Sequence, residues 1–525
     1  MNVKRQWECL SCPIDQQFQI SDLVHGSIDI FYPINLIIDT PEFQRLRRVT
    51  QLGVSNLVYP SGDHSRFSHS LGVYHLARLM VAHLSGIQPA LGITPNDQLC
   101  VSIAALIHDL GHGPFSHMFE SKFLREMGVK DFEHEEMSRK VFKFMLDKND
   151  RWLKKKLDEY LEENDYEFID ELINPPKDMM SNDQWTLRGR PREKSVLYQI
   201  VSEPTAGLDV DKIDYLLLRT NGAEFWVLSV SPSTAKDSIA FATHIKSYYN
   251  FYPRKIIVLN PFPKLGRVFD SRKLMHECVY GHKTVIAAEI MYVRALRAAD
   301  PHLEFVGQNG TKYKMSTAHK DPQAFCRLDN NVISLIRYSN DVRLDAAKKV
   351  IDAIEMRKLP KCVMKMQLNT MGSNCEEMQK KIEAALAAYS EGLAIIVKVR
   401  SFDHGKGIHR SPLKALFLFE NKNPNNILED GTNKSSESTN STPAGALVAF
   451  FYIDYEDIGK REMATKALRK LTANHPNYFC VGSANKRVEP PNEEEGEGEG
   501  EGEDDWHFIT PPRKQMREED ENQRN

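Results

Sequence analysis

The segment Leu106-Ile-His-Asp-Leu-Gly-His-Gly-Pro-Phe-Ser-His117 places three histidines and an aspartate within ten positions. Imidazole and carboxylate together bind divalent metals and carry protons near neutral pH. Helix ends attract histidine and turns attract glycine, but capping needs one histidine, not three. His69 lies in Ser65-Arg-Phe-Ser-His-Ser-Leu-Gly72, on the helical face of Val73, Leu76 and Met80, so it points inward. A lone inward histidine is commonly a hydrogen-bonded core residue. A second source of ligands at His108 and Asp109 favours the ligand reading. Gly207-Leu-Asp-Val-Asp-Lys-Ile-Asp-Tyr215 sets aspartates at 209, 211 and 214 among Val210, Ile213, Leu216 and Leu217, which does not read as a solvated face. Asp211 and Tyr215 share one side of a helix, and Lys212 lies three residues before Tyr215. His69, His108, Asp109 and Asp211 make a mixed nitrogen and oxygen donor set, suited to Mn, Fe or Zn rather than Ca.

Helices must position these groups. Leu99, Ile103, Leu106, Ile107 and Leu110 recur at helical spacing behind Thr94-Pro-Asn-Asp97, a start signal. His108 and Asp109 therefore end an amphipathic helix, just before Gly111 and the Gly113-Pro114 break. Val73, Leu76, Met80 and Leu84 mark a second helix, and residues 345–356 a third. Strand-like runs come later, at 393–399, 415–419 and 447–453, followed by a helix over 463–471. The predicted fold class is mainly α, a helical bundle over 16–360 with a smaller C-terminal α+β lobe over 361–485. Residues 1–15 read as a loose tail. The Asn-, Ser- and Thr-rich stretch 421–442 reads as a flexible surface loop. The Glu/Gly-rich stretch 486–525 reads as acidic, disordered low complexity.

The series His69, His108-Asp109 and Asp211 resembles the H…HD…D pattern of the HD superfamily, so the bundle is expected to be an HD-superfamily helical bundle. Longer strings narrow the resemblance. Asp39-Thr-Pro-Glu-Phe-Gln-Arg-Leu-Arg47, Arg66-Phe-Ser-His-Ser-Leu-Gly72, His108 to Met118 and Asp209-Val-Asp-Lys-Ile-Asp-Tyr215 together look like the SAM- and HD-domain-containing dNTP triphosphohydrolases. The likeness runs from about residue 18 to 360 and more faintly through the lobe; the SAM domain is expected to have no counterpart here. It implies a metal held by His69, His108, Asp109 and Asp211, polarising the α-phosphate and positioning or activating the attacking water. It implies His117 as the acid for the departing 5′ oxygen, with His112 and His134 lining the site. Arg66, Lys212, Tyr215 and Arg272 would hold the triphosphate and its Mg. Gln51 and Leu52 would meet sugar and base. Tyr280, with His276 nearby, would pack on the sugar and exclude a 2′ hydroxyl.

The same family is activated by nucleotides that join subunits into tetramers, so GTP or dNTP activators and a homodimer or homotetramer are implied partners. Asp39, Gln44, Arg45 and Arg47 match the guanine-nucleotide pocket. Phe18 and Ser21 replace a Lys and an Asn expected beside it. Val258, Asn260 and Lys264 stand where Arg, Lys and Asn would grip a second activator, and 421–442 replaces a basic segment. These changes predict altered nucleotide activation. After Asp214-Tyr215 the family shows an Asp toward the 3′ hydroxyl; here the run is Leu216-Leu-Leu-Arg-Thr220, which puts sugar affinity in question. Thr510-Pro511-Pro512-Arg513 resembles a proline-directed phosphosite, whose phosphate would add nearly two negative charges.

Composition bounds the alternatives. With 41% hydrophobic residues in 525, the chain can bury one large core plus a lobe. No run approaches ~18 consecutive apolar residues, so no membrane span is expected, and Met1 to Leu10 lacks an apolar signal region. Eight scattered cysteines fit a reducing compartment, nucleus or cytoplasm. Cys9 and Cys12 form a C-x-x-C with no second pair, read as two thiols near a frayed end. The net charge of −4 includes nine acidic residues between Glu493 and Asp505, which leaves a body of formally about +5. That mild positive balance suits a polyanionic ligand but falls short of a dedicated nucleic-acid binder. Three readings compete: a dNTP triphosphohydrolase, an HD phosphohydrolase acting on another nucleotide, and a non-catalytic scaffold for single-stranded nucleic acid or a protein.

Overall fold

Polar residues placed just ahead of apolar stripes decide where the main helices start. In the computed structural model, residues 17–176, 179–181, 184–204, 207–218, 257–259, 262–369, 374–404, 417–420, 423–428 and 445–480 are described. The described chain opens with a hairpin, β1 (Gln17–Asp22) antiparallel to β2 (Gly26–Phe31). Helical periodicity was expected to dominate from about residue 16; this short segment instead alternates, burying Ile28 and Ile30 on one face.

Helix α1 (Arg66–Ile87) starts behind Ser65, whose hydroxyl accepts from the Ser68 amide. Helix α2 (Pro95–Ile107) starts with a reciprocal capping box. The Thr94 hydroxyl accepts from the Asp97 amide at 3.2 Å, and the Asp97 carboxylate accepts from the Thr94 amide at 2.8 Å. Lys194 and Arg190 also pair with Asp97, so the cap is tied to a later segment. Helix α1 packs along α2 and then against the later α4 (Val210–Leu218), with α3 (His134–Asp147) between them in sequence. This packing brings four distant stretches of chain to one point. Helices α5 (Phe262–Met275), α6 (Lys283–Ala299) and α7 (Asp345–Glu355) complete the part of the bundle that concerns the site. The fold is mainly α.

The smaller sheet follows from a run of apolar residues. Strand β5 (Gly445–Ile453) lies between β3 (Lys361–Leu368) and β4 (Ile395–Asp403), antiparallel to both. Its alternation feeds two cores. Leu447, Ala449 and Phe451 pack with Met378 and Ile382 of α8 (Cys375–Ala387) and Leu468 and Leu471 of α9 (Arg461–Asn474). Val448, Phe450 and Tyr452 belong to the large core of the helical bundle. A strand buried on both faces reads as a continuous hydrophobic run, as this one does.

One expectation needs correction. Within 421–442, read as a loop, Asn423–Leu428 forms a strand antiparallel to Phe417–Glu420. In the backbone register Ile427 and Leu428 stand opposite Phe419 and Leu418, and the Asn and Pro at the start of the segment do not prevent the pairing. Phe417–Glu420 also pairs in parallel with Ile257–Leu259, so Val258 lies in a strand. Among the described residues, no helix is long and apolar enough to cross a membrane.

Candidate metal centre and active site

His69 occupies the first turn of α1 and is fully buried. His108 closes α2, and its Nδ1 lies 2.9 Å from the Ala105 carbonyl oxygen. A carbonyl only accepts, so Nδ1 carries the proton and Nε2 keeps a lone pair in the neutral ring. That buried Nε2 has no hydrogen-bond partner. It lies 3.4 Å from an oxygen of Asp109 and 3.6 Å from one of Asp211. His69 Nε2 approaches the same Asp211 oxygen to 2.9 Å and Asp109 to 3.5 Å. Asp211 comes from the first turn of α4, with 34% of its side chain exposed.

The electrostatics favour a cation at this point. Burial opposes the His69 imidazolium, yet hydrogen bonds to Asp211 and Asp214 raise its pKa to about 10. Burial would likewise raise the Asp109 carboxyl, but Arg66, His108 and His112 hold it well below the usual carboxylate range. Desolvation also opposes the Asp211 charge, and His108 and His69 hold this partly exposed carboxyl well below the usual carboxylate range. Ionised carboxylates around an orphaned imidazole nitrogen fit a divalent ion. Ligand atoms of His69, His108 and Asp109 all lie within 4.8 Å of one another.

The turn after α2 is held tightly. A Cβ on Gly111 would stand 2.0 Å from the His134 carbonyl oxygen, so glycine lets the turn meet α3 backbone to backbone. There the Gly111 amide donates to the Ser138 hydroxyl, which donates to the His108 carbonyl. Phe115 and Ser116 both have positive φ, 60° and 56°. Such conformations cost about 1 kcal/mol or more apiece for non-glycine residues and persist only where neighbours over-determine them. The Phe115 amide donates to Asn330, and Ser116 receives a bond from Arg66 while donating to the Thr50 carbonyl.

This turn creates a second cluster beside the first. Ligand atoms of His112, His117, Glu120 and His134 lie within 4.8 Å of one another. The His112 and His134 rings stack at 4.0 Å, and the His117 ring stands edge-on to both. Glu120 sits 3.0 Å from His134 Nδ1 and 3.6 Å from His117 Nδ1. Burial lowers the His134 pKa, but Glu120 and Glu135 more than reverse it. His112, buried beside the Arg66 cation, is held well below its usual value. His117 is 61% exposed, a proton carrier open to a ligand.

The HD domain model matches residues 66–201, covering both histidine clusters. Deoxynucleoside triphosphate triphosphohydrolase SAMHD1 of cattle is 36% identical over 76% of this chain and 69% of its own. The mouse protein of that name is 37% identical over 68% of this chain and 56% of its own. A protein of Dictyostelium discoideum named as a homolog of it is 31% identical over 87% of this chain and 80% of its own. The chain belongs to the SAMHD1 family.

With the family shown, the remaining predicted residues can be placed. Lys212 follows Asp211 on α4 and donates to Asp209 at 3.1 Å. Tyr215, one turn on, has a buried hydroxyl with no hydrogen-bond partner, and burial raises its pKa to about 12 despite Arg272 and Lys212 nearby. Arg272, near the end of α5, donates to the Asp403 carbonyl at 2.9 Å. The His276 and Tyr280 rings lie 4.8 Å apart in the turn after α5. Gln51 and Leu52 are buried ahead of α1, with Gln51 Oε1 lacking a partner. Arg66 is engaged with Asp109 at 2.6 Å and Ser116 at 2.9 Å, because the first turn of α1 faces the HD turn.

The residues matched to an activator pocket divide. Asp39 and Arg47 are exposed, and Arg47 donates to Gln44 at 2.7 Å while lying over the Phe67 ring. Arg45 departs from them and is 1% exposed. It donates to the carbonyls of Leu110, His112 and Leu328, so it braces the HD turn rather than facing a nucleotide. Sequence reading missed Glu120, Asp214 as the partner of His69 Nδ1, and Ser138. The inward phase of Asp214 beside Ile213 was the one available signal. Phe18 and Ser21 are exposed on β1. Cys9, Cys12, Arg219, Thr220, Asn260 and Thr510, and the Lys264 side chain, lie outside the described residues.

Proposed function

We propose that this chain hydrolyses deoxynucleoside triphosphates to deoxynucleoside and inorganic triphosphate at the His69, His108, Asp109 and Asp211 centre. The observation that carries the proposal is the orphaned, buried His108 Nε2 among ionised carboxylates, directly beside a cluster of three histidines and Glu120. The relatives in cattle and mouse are named for this reaction. Mn, Fe or Zn suits the mixed donor set, with Mg accompanying the nucleotide phosphates. A bound ion there supplies Lewis-acid polarisation of the phosphoryl group and a water of lowered pKa.

The chain's own residues supply the rest. His117 gives a proton to the departing 5′ oxygen, so the leaving group is a neutral alcohol. His134, whose pKa Glu120 raises, and His112 stacked on it hold the polar wall behind His117. Lys212, the unpartnered Tyr215 hydroxyl and Arg272 bind triphosphate oxygens; Arg66 fixes Asp109 and Ser116 and adds positive charge beneath them. Gln51 and Leu52 meet base and sugar, and Tyr280 with His276 forms the wall that rejects a 2′ hydroxyl. Asp39, Gln44 and Arg47 form the surface for a GTP or dNTP activator bridging subunits into a dimer or tetramer. Phe18 and Ser21 alter that surface, so activation differs from the family's pattern.

Product analysis tests the proposal. Purified protein is incubated with dGTP, GTP or mixed dNTPs, with Mn or Mg, and products are resolved by ion exchange. Deoxynucleoside plus intact triphosphate, absent with GTP as sole substrate and absent in Asp211→Ala, is expected. Monophosphate plus pyrophosphate, or turnover of GTP, transfers the assignment to another nucleotide phosphohydrolase.

A further inference from the structure

His69 presents Nε2 to the metal cluster, and its other nitrogen has a partner from elsewhere in the fold. His69 Nδ1 lies 2.7 Å from Asp214 Oδ2, and the second oxygen of that carboxylate lies 2.6 Å from His25 Nε2. Asp214 and His69 are fully buried, and His25 nearly so. The series His25, Asp214, His69 therefore runs from the hairpin turn between β1 and β2 to the ligand shell. Both imidazole nitrogens facing Asp214 act as donors, since a carboxylate oxygen accepts. A proton fixed on His69 Nδ1 leaves Nε2 with its lone pair for a metal.

The space for this arrangement is built into α1. Gly72 lies one turn beyond His69, and a Cβ there would stand 1.9 Å from Asp214 Oδ1 and 2.9 Å from His25 Nε2. The hairpin also aims His25 independently of the relay. Asp22 Oδ1 accepts from the amides of Val24 and His25 at 2.8 and 2.9 Å, and Gly26 turns the chain at φ +73°. Ile28 and Ile30 anchor β2 in the core, and the Tyr74 hydroxyl donates to the Asp29 carbonyl.

We propose that His25 is a positioning residue for the metal centre: it orients Asp214, which in turn orients His69, so the N-terminal hairpin contributes to metal affinity. Without His25, one Asp214 oxygen is buried without its donor, the carboxylate relaxes, and His69 loses its fixed tautomer and ring angle. The inference rests on reading His69 as a metal ligand.

The test is Mn(II) affinity by chelator competition, with metal content by mass spectrometry and thermal midpoint, on the full chain. Outer partners of metal ligands typically contribute about 10–100-fold in affinity. His25→Ala is expected to weaken Mn(II) binding about tenfold, at the low end of that range. His25→Gln, whose amide nitrogen can still donate to Asp214, should recover most of it. Combining His25→Ala with Asp214→Asn should weaken binding no further than Asp214→Asn alone. Gln19→Ala, on the exposed face of the same hairpin, should leave binding unchanged. Mn(II) affinity of His25→Ala within about twofold of the unaltered chain overturns the role of His25, as does a double variant that is weaker by the product of the singles. Failure of the unaltered chain to bind any divalent ion overturns the metal centre itself.

Discussion

Arg45 donates a hydrogen bond to the carbonyl oxygen of His112, 67 positions later in the chain, at 2.9 Å. The same terminal nitrogen reaches the Leu110 carbonyl at 2.6 Å, and the other reaches Leu328 at 2.6 Å. One buried guanidinium thus fixes both ends of the short turn that carries His112.

Arg45→Lys should damage both stability and turnover. A single ammonium cannot span acceptors on two sides of the planar fork. Each buried carbonyl left without a donor costs about 1–3 kcal/mol. A loss of roughly 2 kcal/mol in urea unfolding is expected on that basis, with kcat falling more than KM rises. Unchanged unfolding and unchanged kcat would remove Arg45 from this role.

Glu120 is expected to influence the pH range of activity. Its carboxylate raises the His134 pKa against burial, so His134 stays cationic to higher pH than it would alone. Glu120→Gln removes that support, lowers the His134 pKa, and should shift the alkaline limb of the kcat profile to lower pH. An alkaline limb that stays in place, or moves upward, would contradict the assignment.

His75 should make stability fall in mild acid. Burial, with help from His25 and Arg78, depresses its pKa to about 4. The folded state then binds fewer protons than the unfolded state between about pH 6.5 and 4, so stability is full above the upper value and declines toward the lower. His75→Gln removes this slope. Between pH 7 and 5 the variant should lose about 1–2 kcal/mol less than the unaltered chain, at about 1.4 kcal/mol per pKa unit. Parallel stability curves for the two proteins would refute it.

The proposed function gives Tyr280 the choice of sugar. Replacing it with alanine opens the wall shared with His276 and should lower the dGTP-to-GTP ratio of kcat/KM by tenfold or more, about 1.4 kcal/mol of discrimination. Competing-substrate kinetics would show this, and an unchanged ratio would place sugar selection elsewhere.

Much of the centre was legible because local rules and long-range packing agree there. The capping box at Thr94 and Asp97 set the start of α2 and hence its exit at His108, while the stripe behind His69 set its inward direction. The missed residues share one property: their partners are distant in sequence. His25 meets Asp214 across 189 positions, and nothing in Asp22-Leu-Val-His-Gly26 announces it. Glu120, three residues after His117, looks like any acid on an amphipathic surface until α3 brings His134 against it. Arg45 was matched to the activator pocket by resemblance alone, and its three carbonyl acceptors, distant in sequence, are what reveal a brace. The strand at Asn423–Leu428 was hidden by composition, since it begins Asn-Pro-Asn-Asn, which reads as a turn.

The alternation along β5 also bears on how the molecule comes apart. Phe450 belongs to the helical core and Phe451 to the core of the lobe, yet they are neighbours on one strand. Pulling the strand from either side strips apolar surface from both, so neither half can melt alone without exposing the other. Calorimetry should trace one transition for bundle and lobe rather than two, and truncation ahead of Lys361 should yield an aggregating bundle rather than an autonomous enzyme.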